Sequence, residues 1–242
     1  MNTRAYVAEL LGTFLFFSIG YLSVAAFGAV DGVPGLLVVP FSFGFGLLAA
    51  IFAFGHVSGG HFNPAVTVAA VVDGRTSPQD AVGYIVAQIV GALAAGLLVL
   101  VAVSQAAVAA GVTKPGAGVT DIGALLIEIV LSAGFIAVIL AATKHAQALA
   151  ALAIPLSLVA IHFASATLSG ASVNPARSIG SAVIGGDLGA IWIYLVGPIV
   201  GGVLGALVYR FAAAEASEPS GPTEASAGGS PVPGEGPYPA ND

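Results

Sequence analysis

Two short tracts carry most of the polar chemistry in this chain. Ser58-Gly59-Gly60-His61-Phe62-Asn63-Pro64-Ala65 and Ser169-Gly170-Ala171-Ser172-Val173-Asn174-Pro175-Ala176 follow one pattern at a constant offset of 111 residues. In each, Asn and Pro open a short apolar stretch, 63–72 and about 174–184. Asn is a good helix N-cap and Pro suits the first helical turn. Ten helical residues rise roughly 15 Å, half of a hydrocarbon core about 30 Å thick. If the two short helices come from opposite faces, their N-termini meet at the midplane. There the amides of Asn63 and Asn174 offer donors, and both helix dipoles supply partial positive charge. Such a point repels cations, hydronium included, and obliges a passing water to accept hydrogen bonds. Carbonyls of Gly59, Gly60, His61 and Phe62, and of Gly170, Ala171, Ser172 and Val173, would supply acceptors on either side. Arg177, three residues after Asn174, then lies at a depth where an Arg costs ~2.5–3.5 kcal/mol and marks function. Glu9 and Glu128 are either proton-relay acids or buried acceptors that pin N–H groups of the Gly-rich tracts. The second reading is preferred, because buried polar groups need partners.

The composition explains how such tracts reach membrane depth. Of 242 residues, 57% are hydrophobic and only 7% charged, against roughly 25% charged in a soluble domain. Six apolar segments of helical length, about 5–27, 34–54, 79–104, 121–143, 148–168 and 188–211, are long enough to cross a bilayer. The bounding signals are Asp31-Gly32, His56, Asp73-Gly74-Arg75, Lys114-Pro115-Gly116, Lys144-His145 and Asp187. The fold class expected is an all-α membrane protein of six transmembrane helices plus two re-entrant half-helices. Non-helical backbone at that depth must be buried in protein or line a wet cavity, so the Gly-rich tracts predict a pore.

A second tract repeats at an offset of 110: Tyr84 to Gly91 matches Tyr194 to Gly201 at five of eight positions. The repeats run over about 1–110 and 120–213. Three crossings per repeat invert the second copy in the membrane, giving a 3+3 inverted repeat. Ala87, Gly91 and Ala95, with Gly197, Gly201 and Gly205, are small residues spaced for close helix packing. Arg4, Arg75, Lys144 and Arg210 flank one side of the spans and Lys114 the other, which predicts cytoplasmic termini.

Residues 1–214 hold all six basic residues and seven acids; the other five acids fall in the last 28 residues. That stretch is rich in Pro, Gly, Ser and Glu, so residues 214–242 read as a disordered cytoplasmic tail. No basic cluster exists for nucleic acid. Cysteine is absent, which excludes thiolate catalysis and Cys-metal sites. His56, His61 and His145 do not make a metal set, no catalytic constellation is present, and no cofactor is expected.

The duplicated HFNPAVT and SVNPARS motifs resemble the signature of the aquaporin, or major intrinsic protein, family, and the resemblance covers 1–213, the expected channel domain. It implies an aquaporin-like fold, a homotetramer in the lipid bilayer of the plasma membrane, one pore per subunit, and water as permeant. It also implies a narrow constriction formed by Phe43, His162, Ala171 and Arg177. Phe43 would narrow the passage while His162 and Arg177 donate to water and Arg177 repels cations. Phe, His and Arg at these places look like the water-selective branch. Ser178 and Ala182 do too. Ala171 and Leu195 depart toward a roomier, glycerol-type channel. A glycerol facilitator, a structural membrane-junction protein of the same fold and an ion channel are the rival readings.

Overall fold

The computed structural model describes residues 2–28 and 33–215. Among them there is no strand. Helix α1 (Thr3–Phe27) starts at Asn2, whose side chain accepts from the Ala5 N–H. Helix α2 (Val33–Ala50) runs through a widened π turn, Ile51–Gly55, into a last turn α3 (His56–Ser58), which stops at left-handed Gly59. The first half-helix is α4 (Pro64–Val72). Helix α5 (Pro78–Ala102) is capped by Ser77 with Pro78 in its first turn, as both residue types favour. A short α6 (Gln105–Ala109) lies in the connection between the repeats. Helix α7 (Asp121–His145), helix α8 (Gln147–Ser169), the second half-helix α9 (Pro175–Gly185) and helix α10 (Ile191–Glu215) complete the second repeat.

Six helices are long and apolar enough to cross a membrane: Thr3–Phe27, Gly35–Ser58, Pro78–Ala102, Asp121–His145, Gln147–Ser169 and Ile191–Ala213. The six expected spans are these, with shifted ends. The second continues past His56, because the π turn carries the chain through Gly55 without breaking it. The last continues through Ala212, Ala213 and Ala214 to Glu215, all good helix formers. The expected tail therefore begins as helix, and residues 216–242 lie outside the described residues, as does the Asp31-Gly32 turn.

Polar and apolar residues are distributed as lipid requires. Val82, Val101, Val208 and Phe211 are exposed, while Glu9, Gln88, Glu128, Asn63, Asn174 and Arg177 are buried. Helix α1 packs on α5 as α7 packs on α10, and α2 crosses α8 between the repeats. The half-helices are exchanged: α9 packs on α5, and α4 on α10. The small residues allow these approaches. A Cβ added at Gly91 would strike the Leu10 carbonyl oxygen and lie 3.0 Å from Thr13 Cβ. One at Gly201 would strike the Ile129 carbonyl oxygen and lie 2.8 Å from Ser132 Cβ. The principal helix contacts of the two repeats correspond.

Candidate functional site

Each re-entrant tract is folded around one buried carboxylate. Glu9 Oε1 accepts from Ser58 Oγ at 2.6 Å and the His61 N–H at 2.9 Å. Its Oε2 accepts from the Phe62 N–H and Gln88 Nε2, both at 2.7 Å. Glu128 Oε1 accepts from Ser169 Oγ at 2.8 Å and the Ser172 N–H at 2.9 Å, and its Oε2 from the Val173 N–H at 2.7 Å. These bonds hold an unfavourable backbone. Phe62, Ala171 and Val173 have φ of 47°, 47° and 43°, the left-handed region that costs a non-Gly residue about 1–3 kcal/mol unless its surroundings impose it.

That backbone brings the two asparagines together. Asn63 φ is −160° and Asn174 φ is −154°, both extended, with Pro64 and Pro175 opening the half-helices behind them. Asn63 Oδ1 accepts from the Ala65 N–H at 2.8 Å, and Asn174 Oδ1 from the Ala176 N–H at 3.0 Å. Each amide also reaches across the centre. Asn63 Nδ2 donates to the Val173 carbonyl at 2.8 Å, and Asn174 Nδ2 to the Phe62 carbonyl at 2.9 Å. An amide has two N–H groups, so one on each Asn stays available. Of the eight tract carbonyls, those of Phe62 and Val173 also accept from the opposing Asn amides, and each keeps a second lone pair. Gly59, Gly60 and His61 line a cavity of about 600 Å³ that reaches Asn63 and Asn174 from the face where the described chain begins and ends.

On the other face a cavity of about 860 Å³ leads from Lys114 to Phe43, His162 and Arg177. The first cavity ends at Leu158 and the second at His162, one turn apart on α8. At this neck the Phe43 and His162 rings stack with centroids 4.6 Å apart, and the Arg177 guanidinium carbon lies 5.3 Å from the Phe43 centroid. Ala171, expected at the constriction, is fully buried and lines neither cavity. Phe43 is 1% exposed; Phe41 and Phe45 stack on each other at 5.5 Å and are exposed. Gly20 makes room, since a Cβ there would lie 2.6 Å from Phe43 Cε1.

The neck corrects one expectation. His162 Nδ1 lies 2.9 Å from the Leu158 carbonyl, which can only accept, so Nδ1 carries the proton. In the neutral ring Nε2 is then an acceptor, not a donor to water. His162 Nε2 and Arg177 Nε are buried without a partner among the described residues. The neck thus holds an acceptor opposite a donor. Arg177 Nη1 donates to the Gly111 carbonyl at 2.7 Å, and the Arg177 carbonyl accepts from Tyr21 Oη.

Several contributors were not found from sequence. Gln88 Nε2 donates to Thr67 Oγ1 at 2.9 Å as well as to Glu9. A Gln inside an apolar span, standing where the second repeat has Pro198, was the available signal. Tyr84 Oη donates to the Ser58 carbonyl at 2.7 Å. Gly111, Thr113 and Tyr21 gave no signal, because nothing in the repeats corresponds to the first two and Tyr21 acts through a backbone atom. His61 Nδ1 lies 3.1 Å from Thr67 Oγ1. Among the described residues no group of three His, Cys, Asp or Glu could hold a metal.

Comparisons with known proteins agree with this fold. A family model described as major intrinsic protein matches residues 1–209. Aquaporin Z of Rhodopseudomonas palustris is 38% identical over 239 residues, covering 93% of this chain and 98% of that one. Glycerol uptake facilitator protein-like 6 of Lactiplantibacillus plantarum is 38% identical over 223 residues, covering 88% and 99%. Among solved structures, the aquaglyceroporin from Plasmodium falciparum superposes with a TM-score of 0.79 at 22% identity, covering 86% of this chain and 96% of that one, a likeness of fold.

Proposed function

Because the chain belongs to the major intrinsic protein family, a family of membrane channels, we propose that it is a passive water channel driven by osmotic gradients that excludes protons and ions. The observation that carries this reading is the neck of Phe43, His162 and Arg177. Phe43 and His162 stack and leave little width. A water there can accept from Arg177 and donate to Nε2 of His162. At the centre it must accept from the free N–H groups of Asn63 and Asn174, with both half-helix dipoles turned toward it. A water held as a double acceptor cannot relay a proton onward, and the dipoles with Arg177 oppose a cation. No covalent step is involved.

The distribution of basic residues supports cytoplasmic termini in a plasma-membrane protein. Arg75 and Lys144 both lie 2.9 Å from the Asp73 carboxylate, and Arg210 donates to the Val72 carbonyl, all on the face bearing the termini, while Lys114 lines the opposite cavity. The exposed apolar faces suit lipid and further copies of the chain, in a homotetramer with a pore in each subunit.

The second reading, a glycerol facilitator, is favoured by the small Ala171 at a position that the resemblance assigns to the constriction, and by the L. plantarum relative, named as a glycerol uptake facilitator-like protein. Parallel water, glycerol and proton flux in proteoliposomes decides. Fast osmotic shrinkage with slow glycerol flux and no proton leak is expected. Glycerol flux comparable to or above water selects the facilitator, and flux of neither removes both. Mercury should not block through thiols, as the sequence has no cysteine; inhibition reversed by a reductant would contradict that.

A further inference from the structure

The connection between the repeats has no counterpart in either repeat, yet it is buried like core. Val108, Val112 and Thr113 are 1%, 8% and 3% exposed. It lies tightly against the second re-entrant hairpin: a Cβ at Gly170 would be 3.1 Å from Thr113 Cα, and one at Gly185 would be 2.9 Å from Val112 Cγ2. Its hydrogen bonds have a direction. Ser172 Oγ donates its only proton to the Asn174 carbonyl at 2.9 Å. Ser178 Oγ, 2.7 Å from Ser172 Oγ, must therefore donate to it. Thr113 Oγ1, 2.7 Å from Ser178 Oγ, must donate in turn. A one-way chain thus runs from Thr113 through Ser178 and Ser172 to the residue that caps α9. Two residues before Thr113, the Gly111 carbonyl receives Arg177 Nη1. Among the described residues, the other backbone hydrogen bonds of Gly111 and Val112 go to α6, from their N–H groups to Val108 at 2.9 Å and Ala109 at 3.1 Å.

We infer that this connection sets solute selectivity by holding Arg177, with Thr113 as the positioning residue that fixes the Gly111 carbonyl against α9. The inference rests on the neck being the selective step. A displaced Gly111 carbonyl would leave Arg177 Nη1 without this acceptor. The side-chain anchor nearest to that carbonyl is the Thr113–Ser178 bond. Neither repeat supplies this bond, so this support of Arg177 comes from the connection.

The test uses the full chain in proteoliposomes and two readouts. Solid-state 15N spectra of the guanidinium groups report Arg177 directly; the chain has four arginines, and Arg177→Lys assigns the signal. Thr113→Val should shift that signal and raise the glycerol-to-water permeability ratio by roughly fivefold, the factor one neutral hydrogen bond is worth. Thr113→Ser should restore both. Ser178→Ala cuts the chain from the α9 side, should reproduce both effects, and decides the matter if Thr113→Val does not fold. An unmoved Arg177 signal, a shifted signal with an unchanged ratio, or a Thr113→Ser protein that behaves like Thr113→Val overturns the inference. A wild type without water flux overturns the water-channel reading instead, and the Arg177 signal still decides whether Thr113 positions it.

Discussion

The two re-entrant hairpins share a scaffold and differ in what it holds. In both, a fully buried Glu accepts from a Ser hydroxyl and two successive N–H groups, and in both an Asn caps its own half-helix and donates to the opposing tract. The differences begin behind Asn. The Asn63 carbonyl accepts from Thr67 Oγ1, four residues ahead, while Thr67 itself accepts from Gln88. The Asn174 carbonyl accepts from Ser172 Oγ, two residues behind, because Ser178, the counterpart of Thr67, gives its proton to Ser172 instead. Three residues after Asn stands Val66 in one hairpin and Arg177 in the other. A duplicated backbone therefore builds the pore symmetrically, and a few side chains put the narrow, charged neck on one face.

The shared scaffold predicts the largest effects, and they should be equal. Glu9→Leu and Glu128→Leu each leave buried backbone N–H groups without an acceptor around residues in the left-handed region. Each should cost about 3–5 kcal/mol, the scale of breaking a buried charged network, and abolish water flux. Thermal unfolding in detergent, with stopped-flow light scattering, measures both. A Glu128→Leu protein of near wild-type stability would break the comparison.

Smaller but again paired effects are expected where the long helices touch. Gly91→Ala presses on the Leu10 carbonyl and Gly201→Ala on the Ile129 carbonyl. Backbone cannot rotate away as a side chain can. Each substitution should cost about 1–3 kcal/mol, the range for overpacking a tight interior. Unfolding midpoints read the pair together, and a large inequality would show that the helix contacts are not equivalent.

This scaffold was legible in the sequence because duplication displayed it twice. The offsets of 110 and 111 and the Asn-Pro pairs, with Glu9 and Glu128 on corresponding spans, specify the inverted repeat and both half-helices. The neck was legible only through resemblance: periodicity does not choose Phe43 over Phe41 or Phe45, and that choice comes from the space beside Gly20. What the sequence could not display was bond direction. His162 reads as a donor until the Leu158 carbonyl takes its Nδ1 proton. The tract carbonyls read as free until two of them accept from the opposing asparagines. Gly111 and Thr113 sit in a stretch with no repeat partner, so neither pattern nor composition marks them.

The side chains that distinguish the hairpins predict changes in selectivity rather than folding. Arg177→Val gives the second hairpin the residue of the first. It removes the donor opposite His162 and widens the neck. Glycerol permeability should rise about tenfold, the scale on which a small change in a snug passage discriminates, with water flux retained. The double variant Arg177→Ala/His162→Ala should admit urea as well. Unchanged solute exclusion in both would show that selection is made elsewhere.

The smallest effect should come from Gln88. Its amide donates to Glu9 and Thr67, while its Oε1 is buried without a partner among the described residues. Gln88→Leu therefore removes two donors and also an unsatisfied acceptor, and these partly offset. Glu9 would keep Ser58 and the two N–H groups, the same three donors that suffice for Glu128. Thr67 would keep its bond to the Asn63 carbonyl and its contact with His61. The expected cost is about 1 kcal/mol, a single net hydrogen bond, with water flux and solute exclusion unchanged. If Gln88→Leu is as damaging as Glu9→Leu, the first hairpin needs a fourth donor that the second does without, and the two carboxylates are not doing the same job.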